Sequence, residues 1–267
     1  MAIGWYFPYN KRRRNNSKTH GQFMKVSCLI PFYNERERIA QVLEVITKVK
    51  NISQVVCVDD GSTDGTAAFV KAHWPEIEVV RQEENKGKAA AIKHGLEVVR
   101  HDLVLLMDAD LQGLQRHELE EAIDAFQHGP DVNMLILRRI NSPWFVRWYR
   151  SDILLSGERL LCKSDLEEVL SQPVARYQLE VAINRFMINR RKVVRWMPWS
   201  AMNTYKVDKL GVLEGSRKEF GMYVEIVDYV GFMHMLVQLS SFTRKLRKHK
   251  SATRSQSRLL QNMKLFN

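Results

Sequence analysis

Cysteine is scarce in this sequence, with only Cys28, Cys57 and Cys162 among 267 residues. The odd count excludes a fully paired disulfide framework, and no two of the three stand at metal-ligand spacing. Cys28 and Cys57 lie inside apolar runs, so they are expected as small core residues in a reducing, cytoplasmic compartment. Long apolar runs are missing too. No stretch reaches the ~18 uncharged apolar residues of a membrane-spanning helix. The brief apolar start over residues 1–7 precedes a basic run, which is the reverse of a secretory signal. There is no internal repeat.

Acid is absent from both ends. Residues 1–20 hold five Lys or Arg and no Asp or Glu, and residues 244–267 hold eight and none. The net charge of +11 therefore belongs to the termini, and residues 21–243 stand near −2. Basic ends attract acidic lipid, phosphorylated ligands or nucleic acid. After residue 9 the basic ends lack aromatic interleaving and the core is mildly acidic, which weighs against nucleic acid as a partner.

What is present is a regular alternation. Short apolar, β-rich runs are predicted as strands at residues 24–30, 55–58, 78–81, 103–107 and 133–137. Between them, residues 35–49, 64–73, 87–100 and 118–126 carry apolar groups at helical spacing. Ser62 and Thr63 are expected to cap the second of these helices. The alternation predicts an α/β fold, a mostly parallel sheet with helices on both faces. Ligands of such sheets bind in the crevice beyond the strand C-terminal ends. Four polar segments stand there: residues 31–35, 59–64, 85–88 and 108–110. After residue 140 the pattern is less regular. Residues 151–161 and 177–189 read as helices, 193–199 as a strand, and 212–247 as one or two helices.

Asp108-Ala109-Asp110 closes a buried strand. Two carboxylates one residue apart at a strand end suit a hard divalent cation, Mg2+ or Mn2+, that bridges a diphosphate. Asp59 and Asp60 also follow a strand, where they can accept from base N–H and ribose hydroxyl groups. A turn with a helix cap explains the same residues without a ligand.

The four segments together resemble the family 2 glycosyltransferases with the GT-A fold. Pro31-Phe32-Tyr33-Asn34-Glu35 is similar to the family's P-x-Y-N-E opening. Val58-Asp59-Asp60-Gly61-Ser62-Thr63-Asp64-Gly65-Thr66 is similar to its nucleotide-binding segment. Asn85-Lys86-Gly87-Lys88-Ala89-Ala90-Ala91 is similar to its N-x-G-K-x-x-A, and Asp108-Ala109-Asp110 to its D-x-D. The resemblance implies a Rossmann-like GT-A domain, a nucleotide-diphosphate sugar donor (UDP-glucose favoured) and Mg2+ or Mn2+. It implies donor contacts from Pro31, Tyr33, Glu35, Asp59, Asp60, Lys88 and Asp108, with Asp110 and Asp108 on the metal. A nucleotidyltransferase shares a related sheet but opens with a glycine-rich loop, and residues 30–35 contain no glycine.

The acceptor half resembles two branches of the same family, those making polyprenyl-phosphate sugars and glucosyl-phosphoglycerate. Ser156-Gly157-Glu158-Arg159 is similar to their S-G-E-R. Tyr177-Gln178-Leu179-Glu180-Val181 is similar to their G-Y-G-x-E-V, with Arg176 and Gln178 in place of glycines. By this resemblance Ser156, Gly157, Arg159, Lys206 and Lys209 touch a lipid, polyprenyl-phosphate or small phosphorylated acceptor. Glu180 faces that acceptor as the catalytic carboxylate beside Asp110, and Asn203 joins the metal. An alternative for Glu180 is an acid favoured at a helix N-terminus, and Arg159 can equally pair with an acid.

The expected organisation is a basic segment at 1–22, a catalytic domain at 23–211, an amphipathic helical extension at 212–250 and a basic tail at 251–267. Within the catalytic domain, 23–115 forms the nucleotide-sugar half and 116–211 the acceptor half. The extension suits either peripheral contact with an acidic membrane face or packing on the domain or in a homodimer. His234 is expected as a buried or interface histidine rather than a ligand.

Overall fold

The computed structural model describes residues 24–129, 131–141, 151–174, 179–203 and 231–246. The first half follows the predicted order: β1 (Val26–Phe32), α1 (Ile39–Ile46), β2 (Ile52–Asp59), α2 (Thr66–His73), β3 (Glu78–Arg81), α3 (Lys88–Leu96) and β4 (Leu103–Leu106). These strands pair in parallel in the order β3-β2-β1-β4. Successive strand side chains point to opposite faces. Accordingly Cys28 and Ile30 of β1 enter one apolar cluster and Leu29 enters the other. The sheet is buried on both sides, as its continuous apolar strands require.

Helices cover it through matched faces. In α1, Ile39, Val42, Leu43 and Ile46 are all buried, the i, i+3, i+4, i+7 spacing of one helical stripe. In α3, Gly95 lets the helix lie close on β1 and β2. A Cβ there would meet Leu29 Cδ1 at 2.5 Å and Val58 Cγ2 at 2.6 Å. All three cysteines are free thiols, and burial pushes the Cys28 and Cys57 thiols far above their ordinary range.

The expected cap on α2 is not made. Ser62 and Thr63 face the first loop instead, and the helix starts after Gly65, whose φ is 80°. Asp64 Oδ1 accepts the Thr66 amide at 3.0 Å and its hydroxyl at 2.5 Å.

The second half comprises β5 (Leu111–Gln112), α4 (Arg116–His128), β6 (Met134–Arg139), α5 (Ser151–Leu154), β7 (Arg159–Cys162), α6 (Lys163–Leu170), α7 (Leu179–Asn189), β8 (Val194–Trp199), β9 (Met202–Asn203) and α8 (Phe232–Ser240). Here the helix expected over 151–161 is corrected. Only α5 is helical, and β7 follows it as a strand running antiparallel between β4 and β6. The full order is β3-β2-β1-β4-β7-β6-β8, with every pair parallel except the two that β7 makes. Leu160 and Leu161 go to opposite core clusters, a strand requirement that helical geometry cannot meet.

Helix α8 packs on α7. Beyond it the chain returns to the edge of β8, where the Leu246 amide donates to Trp196 O at 2.9 Å. Buried Leu246 anchors that return and covers an otherwise open strand edge. Among the described residues, no helix is long and apolar enough to cross a membrane. The basic segments 1–22 and 251–267, and the first part of the helical extension at 212–230, lie outside the described residues.

Candidate active site

The polar segments sit at the strand ends and are wired to one another in chain order. Asn34, at φ 54°, donates its amide to Ser62 Oγ at 3.0 Å and accepts the Thr63 amide at 2.9 Å. Asp60 is buried, and its two oxygens accept the amides of Lys86 at 2.8 Å and Gly87 at 2.9 Å. Gly61, at φ 76°, makes this approach possible, because a Cβ there would stand 2.7 Å from Glu84 C. Asp59 is buried as well. Its Oδ1 accepts the Ser62 amide at 2.7 Å, and Oδ2 lies 3.3 Å from Arg81 Nε. The two carboxylates predicted to meet a nucleoside therefore brace the loops at these strand ends.

A cavity of about 400 Å3 opens against Asp59, Ser62, Thr63, Gly65 and Arg81. On the neighbouring strand end, Tyr33 is exposed, Pro31 is half-buried, and Glu35 is half-buried and paired with Arg38.

The next link joins the two halves. Lys88, the first residue of α3, reaches Asp108 Oδ1 at 2.6 Å and Glu180 Oε1, in the first turn of α7, at 2.7 Å. Burial alone would lower the pKa of this ammonium. The charges and hydrogen bonds of Asp108 and Glu180 outweigh that and hold it well above the usual lysine range. Asp108 in turn rests on Gly157: a Cβ there would meet its carboxylate oxygens at 2.5 and 2.7 Å. Gly157 thus gives room to Asp108, where the resemblance implied approach of an acceptor.

Two further acceptor expectations are corrected. Arg159 is fully buried, and its guanidinium is spent inside the protein. Nε donates to Ser156 O at 2.7 Å, Nη2 to Leu154 O at 2.8 Å, and Nη1 to Asn184 Oδ1 at 2.7 Å and Glu180 O at 3.2 Å. Burial lowers its pKa to about 10, against the opposing charges of Glu180, Glu158 and Asp108. Ser156 is also fully buried, its hydroxyl donating to Leu137 O at 2.8 Å. Neither side chain has the exposure that contact with an acceptor phosphate needs.

Three residues that the sequence reading did not single out complete the cluster. Glu158 is fully buried, 2.9 Å from Ser156 Oγ and 3.8 Å from Arg139 Nε. Burial raises its pKa, Arg139 opposes the rise, and Asp108 adds to it. Asn184 is fully buried as the acceptor for Arg159. The legible signal was Arg138-Arg139, two consecutive cations closing an apolar strand.

The metal expectation has a partial frame. Asp110 directly precedes β5, whose Leu111 pairs with Asn203 of β9. The fold so brings the backbone of residue 203 beside the Asp108-Ala109-Asp110 turn across more than ninety residues. Among the described residues no three His, Cys, Asp or Glu side chains converge on one point. Two carboxylates fit Mg2+ or Mn2+ nonetheless, because such ions commonly take one or two protein carboxylates, with substrate phosphates and waters completing the shell. Lys206, Lys209 and Tyr177 lie outside the described residues.

Comparison with known proteins places these motifs in context. A family model described as "Glycosyl transferase family 2" matches residues 27–196, nearly two thirds of the chain. An undecaprenyl-phosphate 4-deoxy-4-formamido-L-arabinose transferase of Aeromonas hydrophila is 31% identical over 128 residues, 45% of this chain and 39% of that protein. A dolichol-phosphate mannosyltransferase of Pyrococcus furiosus is 34% identical over 117 residues, 41% of this chain and 32% of that protein. The matched region thus spans well under half of either relative. Among solved structures, glucosyl-3-phosphoglycerate synthase from Mycobacterium tuberculosis, in complex with Mn2+, UDP and glucosyl-3-phosphoglycerate, superposes with a TM-score of 0.60. That alignment covers 76% of this chain and 80% of that one at 18% identity, which establishes likeness of fold.

Proposed function

The chain belongs to the family 2 glycosyltransferases, and we propose that it moves a sugar from a nucleotide-diphosphate donor to a phosphorylated acceptor carried on a lipid. UDP-glucose is the donor to test first. The observation that carries this reading is Lys88, held between Asp108 and Glu180 at 2.6 and 2.7 Å. It joins the donor side of the crevice to the first turn of α7. One cation between two carboxylates leaves the junction net negative, which suits a site that takes up a divalent cation together with a diphosphate.

Asp108 and Asp110, with residue 203 alongside, would hold Mg2+ or Mn2+. When bound, that ion offsets the charge of the departing nucleotide diphosphate. Pro31, Tyr33 and Glu35 would line the nucleoside side, and the Asp59–Asp60 turn would support it. Lys206 and Lys209 remain proposed contacts for acceptor phosphate. A phosphate acceptor is already nucleophilic and needs no general base. Glu180 would then orient Lys88 and the incoming group, whereas a hydroxyl acceptor would require Glu180 to take its proton.

Lipid as the carrier is supported by α8. Its outer stripe leaves Met233 72% exposed, with Leu236 and Val237 also exposed, and Arg244 and Lys245 follow. An apolar stripe with a basic flank fits the interface of an acidic membrane. The second reading is a small phosphorylated acceptor such as phosphoglycerate. It is supported by the fold likeness to a phosphoglycerate-using enzyme over three quarters of the chain.

The test is a thermal-shift screen of UDP-, GDP- and ADP-sugars with and without Mn2+, followed by transfer assays on polyprenyl phosphate in vesicles and on phosphoglycerate. A Mn2+-dependent rise in melting temperature with one donor is expected by mass action. That rise is expected to vanish in Asp110→Ala. Donor binding and turnover that ignore both metal and the Asp110→Ala change would refute the reading.

A further inference from the structure

Beneath Glu180 lies a chain of buried polar side chains that ends on α8. Arg159, Asn184 and Gln238 are 0%, 0% and 1% exposed. Arg159 Nη1 donates to the Glu180 carbonyl and to Asn184 Oδ1. Asn184 Nδ2 donates to Leu154 O at 2.9 Å and to Gln238 Oε1 at 3.1 Å. Gln238 Nε2 closes the circuit by donating to the Val181 carbonyl at 3.3 Å. Two successive carbonyls in the first turn of α7, those of Glu180 and Val181, thus receive side-chain donors from outside the helix.

A helix set by apolar packing alone can slide or rotate by fractions of an ångström at small cost. Buried donors and acceptors remove that freedom, because each one left unmatched costs about 1–3 kcal/mol. The first turn of α7 is where such freedom would matter most. Its Glu180 carboxylate must meet Lys88 Nζ at 2.7 Å, a contact that a shift of about an ångström would break.

We propose that Gln238 is a positioning residue for Glu180, acting through Asn184 and Arg159 and through its own bond to Val181 O. The C-terminal helix is then a working part of the active-site support and not an appendage. This inference rests on Glu180 facing the reaction, as proposed above.

The test is Gln238→Leu in the full chain, which keeps the volume and removes both polar atoms. Ser240→Ala, at the exposed end of the same helix, is the control. Hydrogen–deuterium exchange of the α7 peptide reads positioning without reference to activity. Exchange in the first turn of α7 is expected to quicken at least fivefold in Gln238→Leu, with the β1–β4 peptides and the Ser240→Ala protein unchanged. In transfer assays kcat is expected to fall at least tenfold while the donor KM moves less than twofold, and Gln238→Glu is expected to recover part of kcat by restoring the acceptor for Asn184. Unchanged α7 exchange in Gln238→Leu overturns the proposal, as does an equal fall in Ser240→Ala. If Gln238→Leu does not fold, the same comparison is made with Gln238→Glu, which replaces the donor to Val181 O with a carboxylate oxygen set against that carbonyl. Faster α7 exchange in a protein whose wild type transfers no sugar supports the positioning relay and refutes the functional reading separately.

Discussion

Gly157 lies against the carboxylate of Asp108 so closely that a Cβ on it would stand 2.5 Å from Oδ2 and 2.7 Å from Oδ1. Forty-nine positions separate them in the chain, and the antiparallel pairing of β4 with β7 brings them together. Gly157→Ala must push Asp108 away from Lys88 or displace the turn. The expected result is a stability loss of about 1–3 kcal/mol, with at least a tenfold loss of donor and Mn2+ affinity. Titration calorimetry with UDP-sugar and Mn2+ checks it. Binding at the parental affinity would show that Asp108 does not contact donor or metal.

Lys88→Met leaves the Asp108 and Glu180 carboxylates without their shared cation. Lys88 is 26% exposed at its side chain, so solvent tempers the loss to about 1–3 kcal/mol by urea denaturation at pH 7. The pH dependence has a definite sign. The folded pKa of Lys88 lies above its unfolded value, so its contribution is complete below about pH 10.4. It declines only as pH rises from there through the folded value. The gap between parent and variant is therefore expected to stay constant from about pH 6 to 9 and to narrow above about pH 10.5.

Asp60→Ala removes the acceptor of two backbone amides, those of Lys86 and Gly87. Their bonds to a carboxylate are the stronger, charge-assisted kind. A loss of about 2–4 kcal/mol is expected, with roughly half restored in Asp60→Asn, whose amide keeps one acceptor oxygen. Thermal melts of the two variants compare them directly.

Glu158 follows the same sign in a lower pH window. Its pKa is raised, first by burial, so the folded protein binds this proton more tightly than the unfolded chain does. Stability from this group falls as pH rises from the unfolded glutamate value near 4.3 through the folded one. Glu158→Gln is therefore expected to be at least as stable as the parent at pH 7–8, an advantage that shrinks as pH falls toward about 4. Denaturation midpoints measured at intervals over pH 4–8 check the trend.

Much of the donor half was legible from residues alone. Apolar periodicity at Ile39, Val42, Leu43 and Ile46 is local, and so is the placement of a polar segment directly after an apolar strand. These features determined the β-α order, the mostly parallel sheet and the crevice position of residues 31–35, 59–64, 85–88 and 108–110. What the tertiary structure decided was pairing at a distance. Residues 159–162 have no local signal separating a strand from the end of a helix, and only the gap between β4 and β6 made them β7. Once β7 lay there, Arg159 fell inside the core, Gly157 fell under Asp108, and Lys88 met a carboxylate 92 positions away. A sequence motif names the charged residues, but whether a guanidinium faces a phosphate or four internal oxygens depends on which strands flank it, because burial is a property of neighbours that the local chain does not contain.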